Sequence, residues 1–307
     1  MIARTLTYRS MDGERGFVIV AVLWLLAALA ALAMIFSLYL ANSTRALALN
    51  ETALQAEALV SAGVELTAYQ LRLAGEQARP ARGAFQTQLN RAELSVSFVS
   101  EAARIDLNAA PRELLARLLS VLGASAEDAQ QYADRIVGWR TRATPETADK
   151  EDALYLASGR SYLPRQAPFA HVNELGLVLG LPPALVERAL PFVTVFSGAP
   201  GVDVLNAAPE VIAALPGMTP LVLKQFLNDR GSLPSDTTAI EAALGGAKGN
   251  AIVLKSQAYR LRVSVRFPNG QRAGSEVVIS LSGDGDPYRV VSWQNEVGPR
   301  RPPAAQF

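Results

Sequence analysis

Residues 16–41 read GFVIVAVLWLLAALAALAMIFSLYLA, and no charged residue lies between Arg15 and Arg45. As an α-helix, which rises 1.5 Å per residue, this stretch is ~39 Å long, whereas bilayer hydrocarbon is about 30 Å thick. The stretch exceeds the apolar region of a secretory signal, which is about 7–15 residues long. It therefore predicts a transmembrane helix over residues 17–41. Arginines precede it, so the positive-inside rule predicts cytoplasmic residues 1–16 and the bulk of the chain on the other side.

The helical pattern continues beyond Arg45 as residues 42–75. No proline occurs between Phe17 and Arg79. We therefore expect one helix of more than fifty residues, with Gly75 and Pro80 as its stop signals. Apolar residues spaced by three and four line one face of this helix, namely Leu59, Ala62, Leu66, Tyr69 and Leu73.

Alternating apolar residues predict β-structure on either side of a helical middle. The pair Asn269-Gly270 is a strong hairpin signal between two of these stretches. The pattern predicts a β domain built from residues 84–106 and 256–297. Its predicted strands or hairpins are Glu93–Asp106, Tyr259–Phe267, Ser275–Leu281 and Tyr288–Trp293.

The helical middle, residues 107–255, contains a repeat. The pentapeptide LNAAP occupies residues 107–111 and 205–209, after Asp106 and Asp203 respectively. Asparagine or the residues before it can cap the apolar helix that follows, and proline fits a first helical turn. The sequence thus predicts an α+β fold: a long N-terminal helix packed on an antiparallel sheet, with a large, mostly α-helical insertion of helix-hairpin-helix or SAM-like repeats.

Composition narrows the possible functions. The 307 residues include 29 Lys+Arg and 28 Asp+Glu, one histidine and no cysteine. Disulfides, thiolate nucleophiles and cysteine-ligated or histidine-rich metal sites are excluded. The single imidazole, His171, is interpreted as a structural residue at a helix start. Because no catalytic constellation can be assembled, we expect a protein that is not an enzyme.

The tripeptide Arg15-Gly16-Phe17 before an apolar run resembles the processing site of the type IV pilin and type II secretion pseudopilin superfamily. The resemblance implies that prepilin peptidase cleaves between Gly16 and Phe17 and that Phe17 becomes N-methylated. Translation could begin at Met1 or at Met11, which gives the shorter leader MDGERG.

Most members of this superfamily carry glutamate at the fifth mature position, which here is Ala21. A carboxylate in the membrane is costly unless it is paired, and in the family it is thought to neutralise the N-terminal ammonium of a neighbouring subunit. The K family of type II secretion minor pseudopilins regularly lacks it. Together with the repeat-containing insertion, this departure implies a K-type subunit at the pseudopilus tip, helping to initiate fibre assembly and protein export across the outer membrane.

The resemblance also implies partners and a location. The expected partners are the I, J and H types of minor pseudopilin, the major pseudopilin, prepilin peptidase and the inner-membrane assembly platform. The expected location is the bacterial inner membrane, spanned once, with the bulk in the periplasm. Residues 298–307 form an expected flexible tail.

An acidic segment resembles the calcium-associated loop of the K family. The matching carboxylates are Glu151, Asp152 and Glu174, and hard oxygen ligands suit calcium. The acidic residues expected after Trp139 are absent. A solvated acidic loop therefore stands beside calcium binding as an equal interpretation.

A second functional reading remains open. The repeats also resemble helix-hairpin-helix modules that bind the DNA backbone, which would make the chain a membrane-anchored DNA-binding protein of the uptake type. Such hairpins usually have two glycines two residues apart, but here the second positions are Ser125 and Thr219. There is no Lys/Arg stripe of the kind that phosphate binding needs, so no nucleic-acid partner is expected.

Overall fold

In a computed structural model, the chain forms two compact units, residues 1–58 and 59–307. The predicted tail, residues 298–307, and the alternative start residues Met1 and Met11 lie outside the described residues, as do the first twelve residues of the predicted leader. The structure describes residues 13–142, 144, 148–252, 256–282 and 286–295.

The chain begins with α1 (Gly13–Leu73), a continuous helix of 61 residues. This confirms the predicted single helix of more than fifty residues. Within it, Val18–Leu40 is long and apolar enough to cross a membrane, judged on length and composition. The helix ends just before Gly75, which has a φ of 70° that glycine adopts without steric cost.

The face that α1 buries against the β-sheet is not the one that this apolar spacing marks, of which only Leu59 is buried. Gly63 approaches the sheet so closely that an added Cβ would lie 3.1 Å from Val263 Cγ1. By contrast, Tyr69 and Leu73 are 65% and 73% exposed. Smaller side chains permit the close approach, so the contact follows them and not the largest apolar residues. The buried residues of this half of α1 include Val60, Val64, Thr67, Ala68 and Leu71.

The sheet has five antiparallel strands in the order β1-β2-β7-β8-β9. Alternate residues of β2 are buried, so one face packs in the core and the other faces outward. The β1–β2 turn places Asn90 and Arg91 at positive φ, as a two-residue hairpin requires. The strands are β1 (Arg82–Leu89), β2 (Ala92–Ser100), β7 (Ala258–Arg266), β8 (Arg272–Ser280) and β9 (Arg289–Asn295).

The insertion leaves the sheet after β2 and returns at β7. It contains two short parallel pairs that the sequence did not predict: β3 (Ile105–Asp106) with β4 (Val193–Thr194), and β5 (Val202–Asp203) with β6 (Ala251–Ile252). A shared core of apolar residues joins its helices. The predicted α+β fold is confirmed. After α2 (Gly75–Ala78), the helices are α3 (Arg112–Val121), α4 (Ala126–Arg140), α5 (Ala148–Ala157), α6 (Pro183–Ala189), α7 (Pro209–Ala213), α8 (Pro220–Asp229) and α9 (Thr237–Leu244).

Candidate functional site

The N-terminal candidates lie on α1. Gly16, Phe17 and Ala21 all fall within its helical backbone, and the side chains of Val18–Leu40 are exposed. Cleavage after Gly16, methylation of Phe17 and the assembly role of Ala21 stay predictions.

In the insertion, each repeat is a strand, a tight turn and two helices, and each turn is organised by an aspartate. The backbone carbonyls of Asp106 and Asp203 accept from the amides of Ala110 and Ala207 at 2.8 and 2.9 Å. Their carboxylates also accept from the amide two residues on, at 2.7 Å from Asn108 N and 3.2 Å from Leu205 N. Both turns are therefore Asx-type structures.

Burial raises the pKa of both aspartates, although hydrogen bonds act against that shift. Asp106 is 1% exposed and accepts a second backbone bond, from Gly198 N at 2.7 Å. Asp203 accepts instead from Asn206 Nδ2 at 2.7 Å. The first aspartate is thus tied to the segment between the repeats, whereas the second closes a local turn.

An arginine from the second helix of each pair completes the turn. Arg140 donates to the carbonyls of Leu107 and Ala110, the latter at 2.7 Å. Arg230 donates to the carbonyl of Ala207 at 2.9 Å. Burial lowers the pKa of both guanidinium groups. These arginines lie far from the repeated pentapeptide in sequence, which is why sequence reasoning missed them.

The expected asparagine caps are wrong. No side chain caps α3 or α7, which follow Pro111 and Ala208. Asn108 instead exchanges two hydrogen bonds with the backbone of Phe169, at 2.7 and 3.0 Å. Asn206 Nδ2 instead donates to the carboxylate of Asp203 at 2.7 Å.

The hairpins between paired helices use one positive-φ glycine each, Gly123 at 100° and Gly217 at 80°. Ser125 Oγ accepts from Asp128 N at 3.1 Å and caps α4. Thr219 Oγ1 accepts from Val222 N at 3.3 Å and caps α8. The positions where DNA-binding hairpins usually carry a second glycine are therefore helix caps.

The predicted calcium ligands do not form one donor set. Glu151 Oε2 accepts from Arg135 at 2.9 Å, and Asp152 accepts from Gln166 at 2.9 Å. Burial raises the pKa of Glu151 despite that arginine. Its other oxygen, Oε1, is buried and accepts no hydrogen bond from the described residues.

The third carboxylate, Glu174, accepts from Trp139 Nε1 and Arg165 at 3.2 Å each and from Ala170 N at 3.0 Å. Among the described residues, no three acidic or histidine side chains are grouped to hold a metal. Arg135 supplies a positive charge beside Glu151. Calcium binding stays a prediction.

His171 has a structural role, as expected. It precedes a 3-10 helix, Val172–Leu177, and its Nδ1 accepts from Asn173 N at 3.1 Å. Its Nε2 lies 3.2 Å from Gln294 Nε2.

A buried ion network joins the sheet to the insertion. Glu101, fully buried just after β2, receives Arg260 of β7 through both carboxylate oxygens, at 2.7 and 3.0 Å. Thr194 of β4 donates to the same carboxylate. Arg260 also pairs with Glu276 of β8. Burial acts to raise the pKa of Glu276, but the charge of Arg260 and its hydrogen bond lower that pKa overall. Arginines alternating with apolar residues in β7 were the available sequence signal for this network.

Comparisons with known proteins agree with this architecture. Residues 87–198 match a family model described as type II secretion system (T2SS), protein K. A curated relative, type II secretion system protein K of Klebsiella pneumoniae, is 30% identical over 115 residues, which are 37% of this chain and 35% of the relative. The aligned stretch thus spans about a third of that relative's length.

A solved structure also matches in fold, with a TM-score of 0.60 and 19% identity. It is described as the crystal structure of the GspK-GspI-GspJ complex of the enterotoxigenic Escherichia coli type 2 secretion system. The alignment covers 81% of this chain and 98% of that one. The predicted resemblance to type II secretion system protein K is confirmed, and the DNA-binding alternative is not favoured.

Proposed function

We propose that this chain, whose residues 87–198 match the type II secretion system protein K family, is a minor pseudopilin at the tip of the pseudopilus. It would help to initiate fibre assembly and thereby the export of folded proteins across the outer membrane. The role is non-catalytic. The observation that carries the proposal is the family match over residues 87–198, which run from β1 through β2 into the insertion, together with the similar fold of the solved structure.

The absence of a carboxylate at Ala21 supports the tip position. A glutamate there would offer a partner to the N-terminal ammonium of an adjacent subunit, and an unpaired charge in the membrane is costly. A subunit with alanine offers no such partner. It therefore fits the end of a fibre, where one neighbour is missing.

Contacts with other subunits are assigned to α1. In its C-terminal part, Leu66, Tyr69 and Leu73 remain exposed while the opposite face covers the sheet. An apolar face on a helix that is already packed on one side is suited to contact another helix. We propose the I, J and H types of minor pseudopilin as partners there. The major pseudopilin, prepilin peptidase and the inner-membrane assembly platform are proposed to meet the membrane-spanning part.

The proposed location is the bacterial inner membrane, crossed once by Val18–Leu40, with the insertion in the periplasm.

The first test is mass spectrometry of the full chain purified from the membranes of a secreting cell. We expect an N-terminal, methylated Phe17. A mature protein that retains Met1 or Met11 would contradict prepilin-type processing.

The second test is Ala21→Glu, with Ala21→Gln as an uncharged control of similar size and Ala28→Glu as a charged control elsewhere on the helix. We expect Ala21→Glu to reduce secretion and to allow the subunit to appear away from the tip. Ala21→Gln should retain tip placement. Normal secretion and tip placement in Ala21→Glu would remove the support for a capping role.

A further inference from the structure

A cleft of about 590 Å³ lies where the outward face of the sheet meets the second repeat. Four arginines and one glutamate are among its lining residues, beside Asn206 of the second repeat. The arginines come from three places: β1, the segment after β2, and β7. They are Arg82, Arg104, Arg260 and Arg262.

These four arginines differ in whether a carboxylate pairs with them. Arg260 is held by the buried Glu101, and Arg262 lies 3.2 Å from Glu276. The guanidinium groups of Arg82 and Arg104 make no hydrogen bond or ion pair within the described parts of the chain. The cleft therefore presents two guanidinium groups without a direct acceptor.

Arg104 is the more unusual of the two, since it is partly buried. Burial lowers its pKa, and the charge of Arg260 lowers it further, while Glu101 and Glu276 act in the opposite direction. Arg82 is exposed, and its charge acts to lower the pKa of Asp203. The hydrogen bonds of Asp203, however, go to Leu205 and Asn206.

The cleft continues along the sheet as a second depression of about 480 Å³. The two share Ala84, Ser97 and Arg262. Together they cross the outward face from the level of Val99 to that of Ser95, which is ~14 Å at the rise of a β-strand. That length accommodates about four residues of extended polypeptide.

The floor of this groove is made of small residues that let a backbone approach. Ser95, Ser97 and Ser264 line it. None of their hydroxyls has a hydrogen-bond partner among the residues that the structure describes. They can therefore bond peptide groups, while the arginines bind carboxylates bidentately.

We propose that this groove binds an extended acidic segment of a partner protein, with a carboxylate between Arg82 and Arg104 and the adjoining backbone over the serines. A nucleic-acid strand could also offer anions to the arginines, but it has no backbone N–H groups to donate to the serine hydroxyls, whereas a peptide has one at nearly every residue. The proposal goes beyond the assembly role and does not depend on it.

The test uses the detergent-solubilised full chain and a fluorescein-labelled hexaglutamate peptide, with binding followed by fluorescence anisotropy. We expect saturable binding that weakens as salt rises. The double variant Arg82→Gln/Arg104→Gln should lose at least tenfold in affinity. The control Arg117→Gln, on the exposed face of α3, should bind as the unmodified chain does. Equal binding by the double variant and the unmodified chain would overturn the proposal.

Three further arms separate a peptide groove from a simple anion pocket and from a nucleic-acid site. Ser97→Phe should block hexaglutamate, and inorganic phosphate at equal charge should compete poorly. If phosphate competes as well as hexaglutamate and Ser97→Phe has no effect, the site is an anion pocket and the peptide proposal fails. Tighter binding of a twelve-residue oligothymidylate than of hexaglutamate would overturn it in favour of nucleic acid.

Thermal unfolding of Arg104→Gln tests a purely structural role. A desolvated cation without an acceptor does not stabilise the fold, so we expect an equal or higher Tm together with weaker peptide binding. A lower Tm with unchanged binding would assign Arg104 to the fold alone and contradict the proposal.

Discussion

The two repeats of the insertion share one turn but differ in what surrounds it. In the first, α3 and α4 have 10 and 15 residues, and Asn108 locks the turn onto Phe169. In the second, α7 and α8 have 5 and 10 residues, and Asn206 closes only its own turn, at the edge of the arginine-lined cleft. The difference indicates that the first repeat anchors the insertion, whereas the second leaves a surface available.

Replacing the turn aspartate of each repeat should give the largest difference in stability loss between the repeats. We expect Asp106→Ala to lower the unfolding free energy by about 3 kcal/mol, because two backbone amides lose a charged acceptor in a buried site. Asp203→Ala should lower the unfolding free energy by about 1.5 kcal/mol, since only one backbone amide loses its acceptor. Urea denaturation of the detergent-solubilised full chain measures both values. Equal losses would mean that the repeats are energetically equivalent.

The arginine substitutions should give the next largest effect. Arg140→Met keeps the apolar stem but leaves two carbonyls without their donor, and we expect a loss of about 2 kcal/mol. Arg230→Met frees one carbonyl and should cost about 1 kcal/mol. The same denaturation assay applies. A larger loss at Arg230 would reverse the assignment of the first repeat as the anchor.

The helix caps should not distinguish the repeats, which makes them a matched control. Ser125→Ala and Thr219→Ala each remove one side-chain acceptor at a helix start, and each should cost about 1 kcal/mol. Thermal unfolding is a sufficient readout. If the stability losses of the two cap variants differed by as much as those of the two aspartate variants, the contrast between the repeats would arise from the hairpins.

The smallest expected effect concerns pH. Burial raises the pKa of Asp106 and Asp203 in the folded state. Their contribution to stability is therefore full below the unfolded pKa, about 3.9, and is lost as pH rises through the folded value. Asp106→Asn or Asp203→Asn removes that titration. The unfolding free energy of each variant, measured from pH 4 to 7, should fall less with rising pH than that of the unmodified chain, and an unchanged slope would contradict this assignment.

Sequence patterns predicted the long helix, the sheet and the repeat because each depends on local periodicity or on residues that form turns and end helices. They failed where packing decides. The large residues Leu66, Tyr69 and Leu73 mark one apolar face of α1, but the close contact at Gly63 shows that another face is buried against the sheet. Helical spacing fits several faces of so apolar a helix, and only the opposing sheet chooses between them.

The repeat offers a subtler lesson about register. Its letters align Leu107 with Leu205, whereas the hydrogen bonds align Asp106 with Asp203, one residue out of step. The asparagines consequently occupy different positions in the two turns. Letter identity marked the repeat, but the backbone acceptor sets the equivalent positions.

The candidate sites also differ in whether the linear sequence or the fold brings their residues together. The Gly16-Phe17 junction and Ala21 could be singled out because they are defined by linear sequence. The network around Glu101 and Arg260 could not, since these residues are far apart in the chain and meet only through sheet pairing. The carboxylates predicted to share calcium were adjacent in pattern but have separate partners in the fold.

The pairing of Ser100 with Tyr259 sets the order in which the protein can be built. The insertion leaves and re-enters through neighbouring strands, so β2 waits for its partner until the whole insertion has been synthesised. Closing so long a loop as flexible chain is slow, whereas an insertion that folds first brings its ends together and shortens the search. The insertion thus acts as the template on which the central strands of the sheet are joined, and damage to its anchoring repeat should appear first as slow maturation of the sheet.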